Sequence, residues 1–181
     1  MRTQFDAADV ARLVEELVGQ VASQLNPQQP LVIVGVRTRG ETLAGRLAAG
    51  LKSRGFSQIS RGTLDITLYR DDLSEIGPRP LVRPTELNTD INDRPLLLVD
   101  DVIFTGRSIR AALNALIDFG RPSAIRLAVL VDRGGRELPI QADMAALRLG
   151  SVPQQHRVNV RLAEVDGRDE ITVEPRGGAT T

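Results

Sequence analysis

One segment near the middle of the chain constrains the fold more than any other. Residues 96–108 read LLLVDDVIFTGRS, and consecutive apolar residues open the segment without polar alternation. Such a run predicts a strand that is buried on both faces, as in a parallel sheet covered by helices. Asp100 and Asp101 follow the run, and a short turn then leads into a helical pattern at Arg107. This order predicts an α/β fold with a polar site where the central strand ends.

The acidic pair and the turn behind it predict a binding site for a phosphorylated ribose. A helix N-terminus offers unpaired N–H groups and a positive dipole end, both of which favour a phosphate. Carboxylates repel a phosphate placed against them, but they accept hydrogen bonds from sugar hydroxyls and can lie close to a magnesium ion. The GxxxxGK[ST] pattern of a P-loop does not occur in the chain. A ligand with vicinal hydroxyls beside a phosphate therefore fits this segment.

Two other interpretations of the segment compete with a ribose phosphate site. Asp100 and Asp101 can simply be solvated at a strand end, with Thr105 or Ser108 capping the next helix. A receiver domain also has an acidic pair that binds magnesium at the end of a strand. In a receiver domain, however, the pair lies near the N-terminus, whereas nearly a hundred residues precede Asp100 in this chain.

Two further runs, the apolar residues 31–36 and the mainly apolar residues 124–131, predict additional strands that end in polar turns. The first run leads into a turn with two arginines and a glycine: Arg37, Thr38, Arg39 and Gly40. The second run ends at Val131 and leads into Asp132, Arg133 and Gly134. Since parallel strands end at the same edge of a sheet, we expect both turns to lie near the acidic pair.

The remaining elements follow the same alternation of helices and strands. Apolar residues at three- and four-residue steps predict amphipathic helices over residues 6–25, 41–51 and 107–119. Residues 62–69 alternate apolar and polar side chains, which predicts a half-covered strand near a sheet edge. Two short strands predicted at 158–162 and 171–173, with a turn at Asp166–Gly167, come after the alternation ends. We expect them to form a small subdomain over the sheet.

We predict one domain over residues 1–175 and a frayed tail over 176–181, because no linker or internal repeat divides the chain. Residues 70–95 are polar and rich in proline. A loop of this length predicts a flexible flap that closes on the substrate, with a disordered excursion or an unrecognised hairpin as the alternatives.

Composition limits the class of protein. The chain has 23 basic and 23 acidic residues, so overall charge does not attract it to nucleic acid. Aromatic content is 3%, which argues against base-stacking platforms for single strands. The chain has no cysteine, no long apolar run and no apolar secretory core at its N-terminus. We therefore expect a soluble cytoplasmic protein without membrane partners.

With these residues in hand, the chain resembles the type I phosphoribosyltransferases, and within them the PyrR family of bifunctional pyrimidine operon regulators and uracil phosphoribosyltransferases. GVRTRG (35–40) and LLLVDDVIFTGRSIRAAL (96–113) are shared with the wider superfamily. GTLDITLYRDDL (62–73) and LAVLVDRGGRELPI (127–140) are more particular to PyrR. The resemblance implies the type I phosphoribosyltransferase fold: a parallel twisted sheet flanked by helices, with a small hood over the edge where the strands end.

The resemblance also implies an activity and a set of site residues. The activity is the conversion of uracil and phosphoribosyl pyrophosphate (PRPP) to UMP and pyrophosphate, with Mg²⁺ carried by PRPP and no direct protein ligands for it. The catalytic residues, which hold the ribose hydroxyls, are Asp100 and Asp101. The residues around the PRPP 5-phosphate are Val102, Ile103, Phe104, Thr105, Gly106, Arg107 and Ser108. Pyrophosphate is implied at Arg37, Thr38, Arg39 and Gly40. We expect the arginines of the flexible loop, Arg70, Arg79 and Arg83, to meet the pyrophosphate as well when the flap closes. The base is implied near Val131, Asp132 and Arg133.

The chain departs from the PyrR pattern at two places, which concern its second function. Gly135 stands where the family usually has a histidine, and residues 148–155 differ from the usual family segment. The alternative function is a regulator that binds an mRNA leader to control attenuation, with little or no catalytic activity. Such binding requires a basic face, for which the candidates are Arg2, Arg12, Arg136 and Arg148. A third possibility is the same fold acting on a purine or another base. We also expect a homodimer or a higher homo-oligomer.

Overall fold

Two β-sheets and four α-helices make up the computed structural model, within the residues that it describes: 3–70, 82–150 and 152–175. In chain order the elements are β1 (Thr3–Phe5), α1 (Ala7–Gln24), β2 (Leu31–Val36), α2 (Arg39–Lys52), β3 (Ile59–Leu64), a 3₁₀ turn (Thr67–Tyr69), β4 (Pro95–Ile103), α3 (Arg107–Ile117), β5 (Ala124–Asp132), β6 (Met144–Arg148), β7 (His156–Arg161), α4 (Ala163–Asp166) and β8 (Glu170–Pro175).

The larger sheet has five parallel strands in the order β3-β2-β4-β5-β6. Successive residues of β4 point to opposite faces: Leu97 and Val99 pack with α1 and α2, while Leu96 and Leu98 pack with α3. Both faces of the strand are therefore covered by helices, and this explains why its apolar run does not alternate. The predicted parallel α/β fold is confirmed.

The smaller sheet is antiparallel, with the order β1-β8-β7, and we call it, together with α4, the hood. The two predicted late strands are confirmed, although each is longer than expected. The connection between them contains the short helix α4, and Gly167 ends that helix with a φ of 74°. β1 was not predicted, because three residues in front of a helix are too few to show a pattern.

The structure differs from the sequence-based predictions at three places around the central sheet. The strand predicted over residues 62–69 ends at Leu64, because the carboxylate of Asp65 accepts hydrogen bonds from the backbone N–H and the hydroxyl of Thr67 and closes a turn. β6 was missed, since its short sequence MAALR has no distinctive period. In addition, α2 begins at Arg39, so the last two residues of the arginine turn belong to the helix.

The long polar segment after the 3₁₀ turn is described only in part. Residues 71–81, which belong to the predicted flap and include Arg79, lie outside the described residues, and so does the predicted tail over 176–181. Within the described part, Glu86 forms an isolated antiparallel bridge with Thr63, which ties the segment to β3. Among the helices of the described residues, none is both long and apolar enough to cross a membrane.

Candidate functional site

The acidic pair lies within β4 rather than beyond its end, because the strand continues to Ile103. Asp100 is buried, with 7% of its surface exposed, and its Oδ1 accepts the backbone N–H of Asp101 at 2.9 Å. Burial, followed by the charge of Asp101, raises the pKa of the Asp100 carboxyl well above its ordinary value. Burial also raises the pKa of Asp101, against the opposing effects of a hydrogen bond with Asp100 and the charge of Arg39.

Two glycines allow the start of α2 to approach this pair closely. A Cβ atom on Gly40 would lie 2.6 Å from the carbonyl oxygen of Val99 and 3.2 Å from the Cα of Asp100. A Cβ atom on Gly35 would lie 2.4 Å from the Cα of Glu41. Any side chain at these positions would therefore push α2 away from the end of β4.

A cavity of about 390 Å³ opens in front of the acidic pair, and we call it the crevice. It is lined by Val36, Arg37, Thr38, Asp65, Ile66, Thr67, Arg70, Arg83, Asp100, Asp101, Val102 and Ser108. The walls come from the ends of β2, β3 and β4 and from the first turn of α3. Several of the predicted site residues thus face one space: both aspartates, the first two residues of the arginine turn, Arg70, Val102 and Ser108.

The predicted phosphate turn joins β4 to α3 at the rim of the crevice. Gly106 is the N-cap of the helix, with a φ of 92°, and the Thr105 hydroxyl accepts the backbone N–H of Arg107 at 3.3 Å. The carbonyl oxygen of Thr105 accepts the N–H groups of Glu137 and Leu138 at 3.0 and 3.1 Å, which anchors the turn from outside. An eleven-residue helix starting here presents its positive dipole end to the crevice.

Not every residue of this turn presents its side chain to the crevice. Ile103 is buried in the core beneath α3. The ring of Phe104 lies under the guanidinium of Arg133, 3.9 Å from it, and Arg107 pairs with Glu137 at 2.8 Å.

Residues of the arginine turn point in two different directions. Arg37 lines the crevice, and its guanidinium donates to the carbonyl oxygen of Pro84 at 3.0 Å and to Glu86 at 3.2 Å. The peptide bond between Arg37 and Thr38 is cis. Arg39 instead points towards the hood, where it makes a bidentate ion pair with Asp166 at 2.6 and 3.0 Å. The structure therefore does not bring Arg39 into the same cavity as Arg37 and Thr38.

A second cavity of about 360 Å³ lies between the hood and the acidic pair, and we call it the hood cavity. It is lined by Arg39, Asp101, Arg157, Val158, Asn159, Val160, Arg161 and Glu174. Asp101 belongs to the walls of both cavities, so the two spaces meet at this carboxylate. The β7 residues of this wall were not predicted as site residues, because short strands with arginines are common on solvated surfaces.

The predicted base-site residues at the end of β5 have other contacts. Val131 is fully buried in the core. Asp132 pairs with Arg136 at 2.7 Å and with Arg148 at 3.2 Å. Arg133 is 3% exposed and donates to the carbonyl oxygens of His156 and Pro153, which holds the chain before β7 against β5. None of the three predicted base-site residues is part of the walls of the crevice or of the hood cavity.

Gly135, which departs from the PyrR pattern, lies next to the phosphate turn. Its φ is 74°, and a Cβ atom there would lie 2.7 Å from a ring carbon of Phe104. Arg136 follows it and donates to the carbonyl oxygen of Phe104 at 2.8 Å. The glycine thus allows a close packing of this loop against the phosphate turn.

Comparison with known proteins gives the same fold and a family. The family model described as a phosphoribosyl transferase domain matches residues 3–157. The "Bifunctional protein PyrR" of Deinococcus radiodurans is 47% identical over 169 residues, which is 93% of this chain and 92% of that protein. The protein of the same name from Thermus thermophilus is 44% identical over 175 residues, covering 97% and 96% of the two chains.

Solved structures with the same fold have much lower identity. The hypoxanthine phosphoribosyltransferase of Trypanosoma cruzi superposes with a TM-score of 0.68 at 18% identity, covering 94% of this chain and 95% of that chain. A hypoxanthine-guanine phosphoribosyltransferase from Bacillus anthracis has a TM-score of 0.63 at 15% identity and covers 84% and 85% of the chains. These similarities concern the fold alone.

Proposed function

Because this chain belongs to the PyrR family of phosphoribosyl transferase domain proteins, we propose that it is a uracil phosphoribosyltransferase that makes UMP and pyrophosphate from uracil and PRPP. The observation that carries the proposal is the crevice. Its wall combines the acidic pair Asp100–Asp101 with the N-terminus of α3, so acceptors for hydroxyl groups and a helix end that favours a phosphate lie on one cavity. A phosphorylated ribose requires this combination.

The proposed reaction is a substitution at the anomeric carbon of the ribose. N1 of uracil forms the new bond to this carbon as the C–O bond to pyrophosphate breaks, pyrophosphate leaves with the electron pair, and the N1 proton passes to solvent. Positive charge builds on the ribose ring as the old bond breaks. The carboxylates of Asp100 and Asp101 stabilise that charge and hold the two hydroxyls, while Arg37 and Arg70 on the crevice wall favour the leaving group.

Magnesium fits the proposal as a part of the bound substrate. Phosphoribosyltransferases generally depend on Mg²⁺, which neutralises the pyrophosphate when it is bound. Within residues 3–70, 82–150 and 152–175, no group of three or more His, Cys, Asp or Glu side chains is arranged to hold a metal ion. The carboxylate oxygens of Asp100 and Asp101 are the kind of donor that magnesium prefers, and they would face the ion that PRPP carries.

The hood cavity is the space that we propose for the uracil ring. It adjoins the crevice at Asp101, so a base there would lie next to a ribose held by the acidic pair. Asn159 and the arginines of β7 supply hydrogen-bond donors on its wall, where the Asn159 amide also donates to Glu174 at 2.8 Å. Since Asp132 and Arg133 are engaged with arginines and backbone carbonyls, we propose a supporting role for the end of β5 rather than contact with the base.

Incubation of the purified chain with labelled uracil, PRPP and Mg²⁺ tests the proposal. We expect labelled UMP, and we expect the variant Asp101→Asn to form it about a hundredfold or more slowly, because a charge-stabilising group is lost. Unlabelled hypoxanthine or guanine added in excess should leave the rate unchanged. Absence of UMP with both proteins would refute the proposal, and competition by a purine would assign the fold to another base.

Binding of an mRNA leader is a second candidate function, supported by the word "bifunctional" in the relatives' name. Among the predicted basic residues, Arg12 and Arg148 are well exposed, with 64% and 57% of their side-chain surface accessible. Arg136 is 19% exposed and is engaged with Asp132 and with backbone carbonyls. Arg2 lies outside the described residues.

The test of RNA binding is its salt dependence. If the chain binds the leader of its own pyrimidine genes through phosphate contacts, affinity should fall steeply as salt rises. Replacing both Arg12 and Arg148 with alanine should flatten that dependence without changing UMP formation. Absence of binding at low salt would leave the chain with its proposed catalytic function alone.

A further inference from the structure

We propose that Asp65 is a positioning residue for pyrophosphate: its carboxylate holds the chain on both sides of residues 71–81, so that Arg70 and Arg83 face the crevice. The inference rests on the proposed function, since it takes the leaving group of PRPP as the ligand. It goes beyond that function because Asp65 was not among the predicted site residues. In this inference Asp65 acts through Arg70 and Arg83 rather than on the ribose or the base.

The two oxygens of the Asp65 carboxylate serve two different chain segments. Oδ1 accepts the backbone N–H of Thr67 at 2.8 Å and its hydroxyl at 2.6 Å, which shapes the 3₁₀ turn that precedes Arg70. Oδ2 accepts the backbone N–H of Arg83 at 2.5 Å, on the far side of residues 71–81. One side chain therefore joins two segments that residues 71–81 separate along the sequence.

Further contacts at the same place fix the returning segment to β3. The backbone N–H of Asp65 donates to the hydroxyl of Thr85 at 3.1 Å. Thr63 and Glu86 exchange two backbone hydrogen bonds of 2.8 Å each. The Asp65 carboxylate is thus one part of a small bridge at the end of β3, and it contacts the backbone of Arg83 directly.

The arrangement places positive charge where the leaving group is expected. Arg37, Arg70 and Arg83 all line the crevice, together with the acidic pair on β4. The negative charge of Asp65 is directed at N–H and O–H donors of its own neighbourhood. Burial acts to raise the pKa of Asp65, but its hydrogen bonds with Thr67 and Arg83 and the charge of Arg37 outweigh that effect and lower it. The carboxylate is therefore charged, and both of its oxygens accept hydrogen bonds from neighbouring groups. A side chain that positions backbone segments needs both properties.

An amide cannot replace this carboxylate. Asparagine has one acceptor oxygen, so its NH₂ group would face either the N–H of Thr67 or the N–H of Arg83, donor against donor. We expect Asp65→Asn to release one of the two segments while the side-chain volume stays the same.

A matched control exists in the same region of the chain. Asp90 Oδ1 accepts the backbone N–H of Asn92 at 3.0 Å and its side-chain amide at 2.8 Å, in the same two-residue turn that Asp65 makes with Thr67. Asp90 is exposed and does not line the crevice. Asp90→Asn therefore repeats the chemical change without touching the bridge at β3.

The experiment measures two affinities by calorimetry on the full chain in the presence of Mg²⁺. Inorganic pyrophosphate probes the arginines, and UMP probes the ribose and 5-phosphate sites. We expect Asp65→Asn to bind pyrophosphate about tenfold or more weakly than wild type, corresponding to about 1.4 kcal/mol, while its UMP affinity changes less than about twofold. Asp90→Asn should match wild type for both ligands. In turnover, KM for PRPP should rise in Asp65→Asn more than kcat falls.

Two outcomes would overturn the inference. Equal pyrophosphate affinity in wild type and Asp65→Asn would show that the carboxylate positions nothing that binds the ligand. A parallel loss of UMP and pyrophosphate binding, with a lowered melting temperature, would show a purely structural role. Failure of the proposed function can be distinguished from both outcomes, because in that case the wild-type chain would form no UMP.

Discussion

Asp100 and Asp101 concentrate the unfavourable electrostatics of the molecule in one place. Loss of hydration at the end of a buried strand raises the pKa of both carboxyl groups, and the charge of Asp101 raises the pKa of Asp100 further. Nothing in the packing of β4 requires acidic side chains there, since the rest of the strand is apolar. The pair is understandable as a ligand site, where hydroxyl groups and a cation stabilise the charged form.

The first prediction concerns stability at the acidic pair. A carboxyl whose pKa is raised by folding binds more protons in the folded chain than in the unfolded chain, so stability falls as the pH rises above the ordinary value of 3.8. We therefore expect Asp101→Asn to be more stable than wild type near neutral pH. Below the ordinary pKa of the group, the difference in the free energy of unfolding between the variant and wild type should vanish. Urea unfolding across this pH range checks it.

The opposite result would be informative for the same pair. If Asp101→Asn is less stable than wild type near neutral pH, a contact of the carboxylate with Arg39 outweighs the burial of its charge. In that event the aspartate would contribute to the folded state without any ligand.

At the scale of elements, the helix α2 depends on how closely it can approach β4. Its first turn carries Gly40 against the backbone of Val99 and Asp100. The same turn carries Arg39 towards the hood and Thr38 towards the crevice. A change in the distance between α2 and β4 therefore alters both cavities together.

The second prediction distinguishes the effect of this close contact on stability from the effect of helix propensity. Gly40→Ala places a methyl group 2.6 Å from a carbonyl oxygen, and we expect it to destabilise the fold by about 1–3 kcal/mol. UMP formation should fall with it. Gly45→Ala in the same helix is the control, because its methyl group meets only the movable end of Arg61 and should stabilise the helix by about 0.5–1 kcal/mol. Thermal unfolding of both variants measures the difference, and equal effects would contradict the prediction.

At the scale of the whole molecule, ion pairs attach the hood to the main sheet. Arg46 on α2 contacts Glu164 at 2.5 Å and Asp169 at 2.7 Å, and its guanidinium is 20% exposed. Seven residues earlier on the same helix, Arg39 pairs with Asp166. These contacts set the position of the hood cavity relative to the crevice. The hood and the main sheet also share one apolar cluster, which contains Val158, Ile171 and residues of α1.

The third prediction follows from this attachment. Arg46→Met keeps the apolar stem of the side chain but leaves two carboxylates without their shared partner, so we expect a loss of about 1–2 kcal/mol. The loss should shrink as salt rises, because the carboxylates of the hood repel each other less. Arg12→Ala, which removes an exposed pair with Asp9, is the control and should change stability by less than about 0.5 kcal/mol. If the two variants prove equally stable, the apolar cluster alone holds the hood.

Two whole-molecule expectations stay predictions. One is that residues 1–175 act as a single unit, and the other is the homo-oligomer. Each concerns surfaces or segments that the described part of a single chain does not test.

The amino-acid sequence by itself determined the parallel sheet, the order of its first helices and the identity of the acidic pair. Unalternating apolar runs and helical periods are local patterns, and local patterns report which faces of an element are buried. The motif at residues 96–108 was recognisable for the same reason, since its residues are contiguous.

Only the tertiary structure decided which residues share a space. It placed Arg39 and Arg37 on different cavities, set Arg133 against the carbonyl oxygen of His156, and joined the Asp65 carboxylate to the backbone of Arg83. Strands β1 and β6 also became visible only through their partners. The physical reason is that side-chain direction at a turn, and the pairing of short strands, depend on contacts between residues far apart in sequence, which no local period encodes.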